Sequence, residues 1–219
     1  PKLLRIQLKA ILRASMVMGN IKVLLPMVTE VEEVATVHHM MEEAREALRL
    51  EGLEPGQGPA LGAMLEIPGT IALIPDLSRW VQFFSVGTND LSQYLMAVER
   101  GNPLLSYLLS PFQPTLLRAL RDIRRACTRA GREVTVCGEM AGKPLTALVL
   151  MGLGFDRLSM NPTSVAEVKR ILTSVHAGVL KRLVDRMLAM SSRTQAEECL
   201  MEGLLIRYPS VFVDQPIFV

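Results

Sequence analysis

The sequence predicts an α/β chain built on a parallel sheet with helices on both faces. Short apolar runs rich in branched residues recur along the 219 residues, each followed by a stretch with helical spacing. The runs lack the in/out alternation of a half-solvated strand, as strands buried on both faces do. They also end abruptly on small polar residues, which is where parallel α/β folds carry their working groups.

Each element has its own signal. Residues 3–18 carry leucine at 3, 4, 8 and 12 with Ile11, a helical spacing closed by Gly19-Asn20. "IKVLLPMV" reads as a buried strand, and 29–52 as a long helix with Thr29 as N-cap and Glu32 completing a capping box. "EGLEPGQGP" is a loop punctuated by glycine and proline. "LGAMLEIP" is strand-like, 69–80 helix-like and "VQFFSVG" a strand again. Helices are expected over 90–98 and 112–130, then a strand in "EVTVCGE", a helix over 143–152, a last strand in "FDRLSMN" and a helix over 163–175. From 177 the chain reads as a helical tail ending in "YPSVFVDQPIFV", so the expected division is a sheet domain over 1–176 and a tail over 177–219.

Five strands result, at 21–27, 61–66, 81–87, 133–137 and 156–160. No dinucleotide fingerprint or Walker loop follows any of them. Repeated βα units of this size suit a (β/α)8 barrel, which needs about 250 residues and eight strands. Five strands make a barrel lacking its first part, or an open sheet.

Composition narrows the function classes. Apolar residues are 49% and charged residues 21%, far from disorder. The 24 basic and 22 acidic side chains are interspersed and leave a net charge of +2, so the basic stripe of a nucleic-acid or membrane-surface binder is missing. No apolar run approaches the roughly 18 residues of a spanning helix, and the opening residues are not a signal peptide. Cys127, Cys137 and Cys199 are odd in number and widely spaced, which suggests neither disulfides nor zinc. A reduced, cytosolic protein is expected.

The strand ends hold Glu66, then Gly87-Thr88-Asn89-Asp90, then Cys137-Gly138-Glu139. Two acids and a cysteine from successive strands therefore share one rim. Taken alone, Glu66 is equally a paired or solvated glutamate, and Asp90 is good helix-capping chemistry. Taken together, two carboxylates on adjacent strand ends suit Mg2+, which commonly uses one or two carboxylates plus substrate oxygens. Cys137 is either a small buried hydrophobe or a proton donor, and Gly138 argues for close backbone approach. Arg100 is either a solvated helix-end charge or a guanidinium fork for phosphate. His38, His39 and His176 read as solvated.

At this point the residues resemble a family. "LLPMVTEVEEV", "MLEIP", "GTNDLSQYLMAVERGN" and "VCGEMAG" are similar, in that order, to the C-terminal barrel of enzyme I of the phosphoenolpyruvate-dependent sugar phosphotransferase system. "VGTNDLSQYLMAVER" and "CGEMAG" lean towards its nitrogen-related form, and the pyruvate, phosphate dikinases are the nearest neighbours. The resemblance spans about residues 3–175. It implies a phosphoenolpyruvate-type (β/α)8 barrel, here about its last five βα units, that binds phosphoenolpyruvate and releases pyruvate. It makes Glu66 and Asp90 the Mg2+ ligands, Asn89 and Arg100 contacts to the substrate phosphate, and Cys137 the acid that protonates the enolate carbon.

Two parts of the family pattern have no match. One is the phosphorylated histidine with its Gly-Gly-x-x-Ser-His type sequence; the other is the arginine set on the first three barrel strands. The expectation is therefore a C-terminal portion of a longer phosphotransferase, inactive alone and reaching its histidine-phosphocarrier partner through a separate N-terminal domain. The resemblance also implies a homodimer, and an unclosed barrel predicts association through unpaired strand edges. Two other readings stay open: an inert substrate-binding or dimerisation module, and a metal-dependent barrel lyase acting on a 2-oxo acid.

Overall fold

In the computed structural model, which describes residues 2–205 and 208, helix α1 (Lys2–Val17) leads into β1 (Lys22–Leu25) and the long α2 (Val31–Leu50). β2 (Ala60–Leu65) and β3 (Phe83–Gly87) follow, separated by a 3-10 turn at Pro68–Ile71 and the single-turn α3 (Ile74–Leu77). Next come α4 (Thr88–Met96), α5 (Pro114–Arg129), β4 (Glu133–Cys137), α6 (Glu139–Gly142) and α7 (Pro144–Gly152). Three helices close the described chain: α8 (Pro162–Ser174), α9 (Ala177–Ala189) and α10 (Arg193–Leu205).

The strands lie in the order β1-β2-β3-β4. β1 and β2 run parallel, with Lys22 opposite Ala60 and Leu25 opposite Ala63. Parallel neighbours joined through helices are the βα repeat of an α/β barrel. β2 buries four of its six residues without alternation, the pattern of a strand covered on both faces.

Four of the five expected strands form. "FDRLSMN" makes only an isolated parallel bridge, Val136 to Leu158, with Val136 N–H donating to Arg157 O at 3.0 Å and Ser159 N–H to Val136 O at 2.8 Å. The reason is local. Two residues beyond Ser159, Asn161 caps α8 by accepting from Thr163 N–H, and Pro162 starts that helix, so the chain leaves the ladder at once. The predicted helix at 69–80 likewise breaks in two, because Pro68 and Pro75 each remove a backbone donor and restart a turn. Thr29 is not the N-cap of α2. Glu30 holds that position, and the Glu33 carboxylate gathers Thr29 N–H, Thr29 Oγ1 and Glu30 N–H.

The chain divides into two compact units, residues through Ser85 with Ala126–Glu133, and Val86–Arg125 with Val134 onward. In the first unit, Leu12 of α1 packs on Ala44 and Leu48 of α2. His38 is half-buried rather than solvated, its ring edge-on to Trp80 at 5.6 Å. In the second unit a larger core joins Leu148 and Val149 of α7, Ile171 of α8, Leu180, Val184 and Met187 of α9, and Leu200 of α10. The helices of the predicted tail are thus part of that unit's core. Arg118 of α5 donates to Leu188 O and Met190 O, satisfying carbonyls at the end of α9. "YPSVFVDQPIFV", apart from Tyr208, lies outside the described residues.

Candidate functional site

Glu66 follows β2 directly and is only 3% exposed. A carboxylate at that depth needs donors. One is the backbone N–H of Met27, which meets Glu66 Oε1 at 2.7 Å. Met27 itself sits in the left-handed region at φ 54, an uncommon conformation for a residue with a long side chain, at the loop after β1. The first unit therefore presents one buried, backbone-held carboxylate.

Asn89, Asp90, Arg100 and Cys137 all fall in the second unit. β3 ends at Gly87 and α4 starts at Thr88, so the Thr-Asn-Asp stretch forms the first turn of a helix. Thr88 is fully buried and its Oγ1 donates to Cys137 O at 3.0 Å. Cys137 Sγ in turn lies 3.2 Å from Val86 O, as a thiol donor to that carbonyl. Asn89 Oδ1 accepts from Glu139 N–H at 3.1 Å. A backbone N–H can only meet the amide oxygen, which leaves the NH2 of Asn89 as a donor for other partners.

Gly138 makes this approach possible. Its φ is +98, and a Cβ there would lie 2.6 Å from Thr88 Oγ1 and 3.0 Å from Asn89 Oδ1. The close approach expected from the sequence is real, and its partners are the two residues that open α4.

Asp90 and Arg100 form an ion pair through Asp90 Oδ1 and Arg100 Nη2, with side chains 34% and 46% exposed. Arg100 also lies 3.4 Å from Gln93 Oε1 through both its backbone N–H and Nε. The guanidinium is thus folded back on the first turn of α4 rather than extended into solvent.

Two cavities border these groups. One, of about 330 Å3, is lined by Thr88, Asn89, Arg100, Glu139 and Lys143 among others. The second, of about 560 Å3, is lined by Asn89, Cys137, Gly138, Lys143, Ser159 and Asn161. Asn89 and Lys143 line both. Nothing in the sequence pattern singles out Lys143, although it directly follows "VCGEMAG"; its Nζ lies 3.5 Å from Glu139 Oε2, one helical turn away.

Residues 1–177 match the family model described as PEP-utilising enzyme, PEP-binding domain. Among curated relatives, a protein of Escherichia coli K12 named for the phosphoenolpyruvate-dependent phosphotransferase system is 40% identical over 196 residues. That match takes in 89% of this chain and 26% of the relative. A phosphoenolpyruvate-protein phosphotransferase of Staphylococcus carnosus is 37% identical over 202 residues, covering 92% of this chain and 35% of its own length. The chain thus spans roughly a quarter to a third of these relatives. A solved citrate lyase from Burkholderia xenovorans superposes with a TM-score of 0.54 at 16% identity, covering 94% of this chain and 68% of that one, which is a likeness of fold. Among the described residues no helix is long and apolar enough to cross a membrane.

Proposed function

Because the chain belongs to the PEP-utilising enzymes as their PEP-binding domain, we propose that it is the phosphoenolpyruvate-binding part of a phosphoenolpyruvate–protein phosphotransferase of the cytoplasm. The observation that carries the reading is in the second unit, where Asn89 lines one cavity with Arg100, itself paired with Asp90, and another with Cys137. The names of the relatives support the reaction. The homodimer rests on the resemblance alone.

In this reading Asn89 and Arg100 hold the substrate phosphate. A guanidinium fork matches phosphate oxygens, and the Asn89 amide, oriented by the bond its oxygen accepts from Glu139 N–H, has its NH2 to donate. Glu66 and Asp90 are hard oxygen donors, the donor set that Mg2+ takes alongside substrate oxygens. The buried Glu66 is already oriented by Met27 N–H, as metal-binding carboxylates are by outer hydrogen bonds. The metal, when bound, supplies neutralisation of charge on the phosphate and carboxylate of the substrate.

Phosphoryl transfer breaks the bond between phosphorus and the enol oxygen and forms one from phosphorus to a histidine nitrogen on a phosphocarrier-linked domain. The electron pair left on oxygen becomes the enolate of pyruvate, which must take a proton at its terminal carbon. Cys137 is suited to give it: a thiol that donates to Val86 O carries its proton, the state from which a general acid acts.

Calorimetry tests the binding half. The 219-residue chain should bind phosphoenolpyruvate only with Mg2+ present, and Asp90→Asn should weaken that binding at least tenfold. Binding unaffected by Mg2+ or by Asp90→Asn overturns the assignment. For the chemical half, pyruvate should appear when a separate domain bearing the acceptor histidine is added, and Cys137→Ala should slow its release while leaving binding intact.

A further inference from the structure

The first residue of α4 has a hydroxyl that the proposed function does not use. Asn89 and Asp90 carry roles toward phosphate and metal, while Thr88 beside them carries none. Hydroxyls inside helices usually bond their own backbone, as Ser15 does to Leu12 O and Thr173 to Lys169 O. Thr88 follows the Gly87 N-cap directly, so no earlier turn of α4 offers it a carbonyl. It crosses to β4 instead: Oγ1 donates to Cys137 O at 3.0 Å, from a residue only 1% exposed.

Cys137 needs such a hold. Val136, one residue earlier, is bonded through both its N–H and its carbonyl, to Arg157 O and Ser159 N–H. Beyond Cys137 β4 ends, and Gly138 follows at a φ of +98. A Cβ there would lie 2.6 Å from Thr88 Oγ1, so the approach that makes the bond possible also puts the most permissive residue after Cys137. The strand end is therefore held from across the sheet. Val86 O receives the thiol at 3.2 Å and Thr88 holds the carbonyl, two residues apart where β3 passes into α4. A thiol is a weak donor, so its bond to Val86 O does little to stop the backbone swinging at Gly138; the Thr88 hydroxyl does that.

We propose that Thr88 is a positioning residue for proton transfer by Cys137. Its buried hydroxyl pins the Cys137 carbonyl, and so keeps the thiol of this cavity-lining residue in one place. The inference rests on the proposed function, in which Cys137 gives a proton to the enolate of pyruvate. Thr88 gives and takes no proton in that step; it acts through Cys137.

The test runs the step backwards, with the 219-residue chain, Mg2+ and pyruvate in D2O. The Cys137 thiolate takes a proton from the methyl carbon, the C–H pair becomes the C=C bond and the carbonyl pair moves to oxygen. The thiol, exchanged with solvent, then returns a deuteron to carbon, and the methyl signal fades in 1H NMR. Wild type should exchange and Cys137→Ala should not. Thr88→Val should exchange about tenfold to a hundredfold more slowly, with dissociation constants for pyruvate and phosphoenolpyruvate unchanged. Thr88→Ser keeps the hydroxyl and should recover most of the rate. A second readout needs neither metal nor substrate: iodoacetamide should alkylate Cys137 severalfold faster in Thr88→Val than in wild type or Thr88→Ser, with the buried Cys127 and Cys199 unchanged by peptide mapping.

Exchange and alkylation at wild-type rates in Thr88→Val overturn this inference and leave the functional reading standing. Affinity lost in step with rate, or alkylation gained at all three cysteines, marks a general loosening and also overturns it. No exchange by wild type, or undiminished exchange by Cys137→Ala, removes Cys137 as the acid and this inference with it. Mg2+-dependent binding of phosphoenolpyruvate then decides the functional reading separately.

Discussion

The end of β2 and the ends of β3 and β4 place polar groups beside buried strands in opposite ways. At β2 a single carboxylate, Glu66, is buried and held by a backbone N–H from a strained Met27. At β3 and β4 several short side chains act together. Thr88, Asn89 and Cys137 each bond to backbone, while the charges of Asp90 and Arg100 stay half in water. The first arrangement concentrates cost in one ion whose removal strands its donors. The second spreads it over neutral hydrogen bonds and leaves the charges rearrangeable.

Breaking the second arrangement at its tightest point should have the largest effect. Gly138→Ala places a Cβ against Thr88 and Asn89 at a positive φ, and should cost about 2–3 kcal/mol. For a chain of this size that is a fall of roughly 5–10 °C in melting temperature, measured by circular dichroism. The two carboxylates should then separate. Glu66→Ala takes a buried acceptor away from Met27 N–H and should lower unfolding free energy by about 2 kcal/mol. Asp90→Ala removes a half-exposed pair and should cost less than about 1 kcal/mol. Urea denaturation of the two variants measures the gap, and equal losses would erase the distinction.

Thr88→Val keeps the shape of the side chain but removes the donor to Cys137 O, and should cost about 1 kcal/mol, again by urea denaturation. Glu33 sharpens the contrast from the exposed side, since it also accepts from backbone N–H groups but lies in water. The Thr29 N–H bond holds its carboxyl below the ordinary glutamate range. Its folded value being the lower one, the stabilisation is complete above the unfolded value and is lost as pH falls through the folded value. Glu33→Gln should therefore flatten the acid limb of a stability–pH curve slightly, with a cost at neutral pH of about 0.5 kcal/mol, the low end for a helix cap.

Much of this contrast is legible in the residues. The strand ends announce themselves because apolar runs stop on Gly-Thr-Asn-Asp and Cys-Gly-Glu, and Gly138 is readable as a point of close approach. The partners are not. That Asn89 accepts from Glu139 N–H, or that Arg100 folds onto Asp90, depends on loop paths that no local pattern encodes. Lys143 gives no signal because its value lies in the cavities it lines. The strand expected at 156–160 shrinks to a bridge for a related reason: apolar residues signal a strand, but Asn161 and Pro162 commit the chain to a helix before a ladder can grow. The capping box of α2 shifts by one residue because Glu32 and Glu33 are adjacent and only geometry chooses between them.

The Asp90–Arg100 pair has a consequence for the order in which ligands arrive. In the proposed reading, where Asp90 also holds Mg2+, one carboxylate oxygen cannot serve a guanidinium and a divalent cation equally well, so the metal competes with Arg100 for Asp90 in the ligand-free chain. A phosphate group that draws Arg100 towards itself releases the carboxylate. Metal and substrate then raise each other's affinity by the same factor, as thermodynamic linkage requires. A titration with Mg2+ alone should look weak, and should strengthen as phosphoenolpyruvate is raised. Replacing Arg100 with a neutral residue would uncouple the two, improving affinity for the bare metal while removing the substrate's hold.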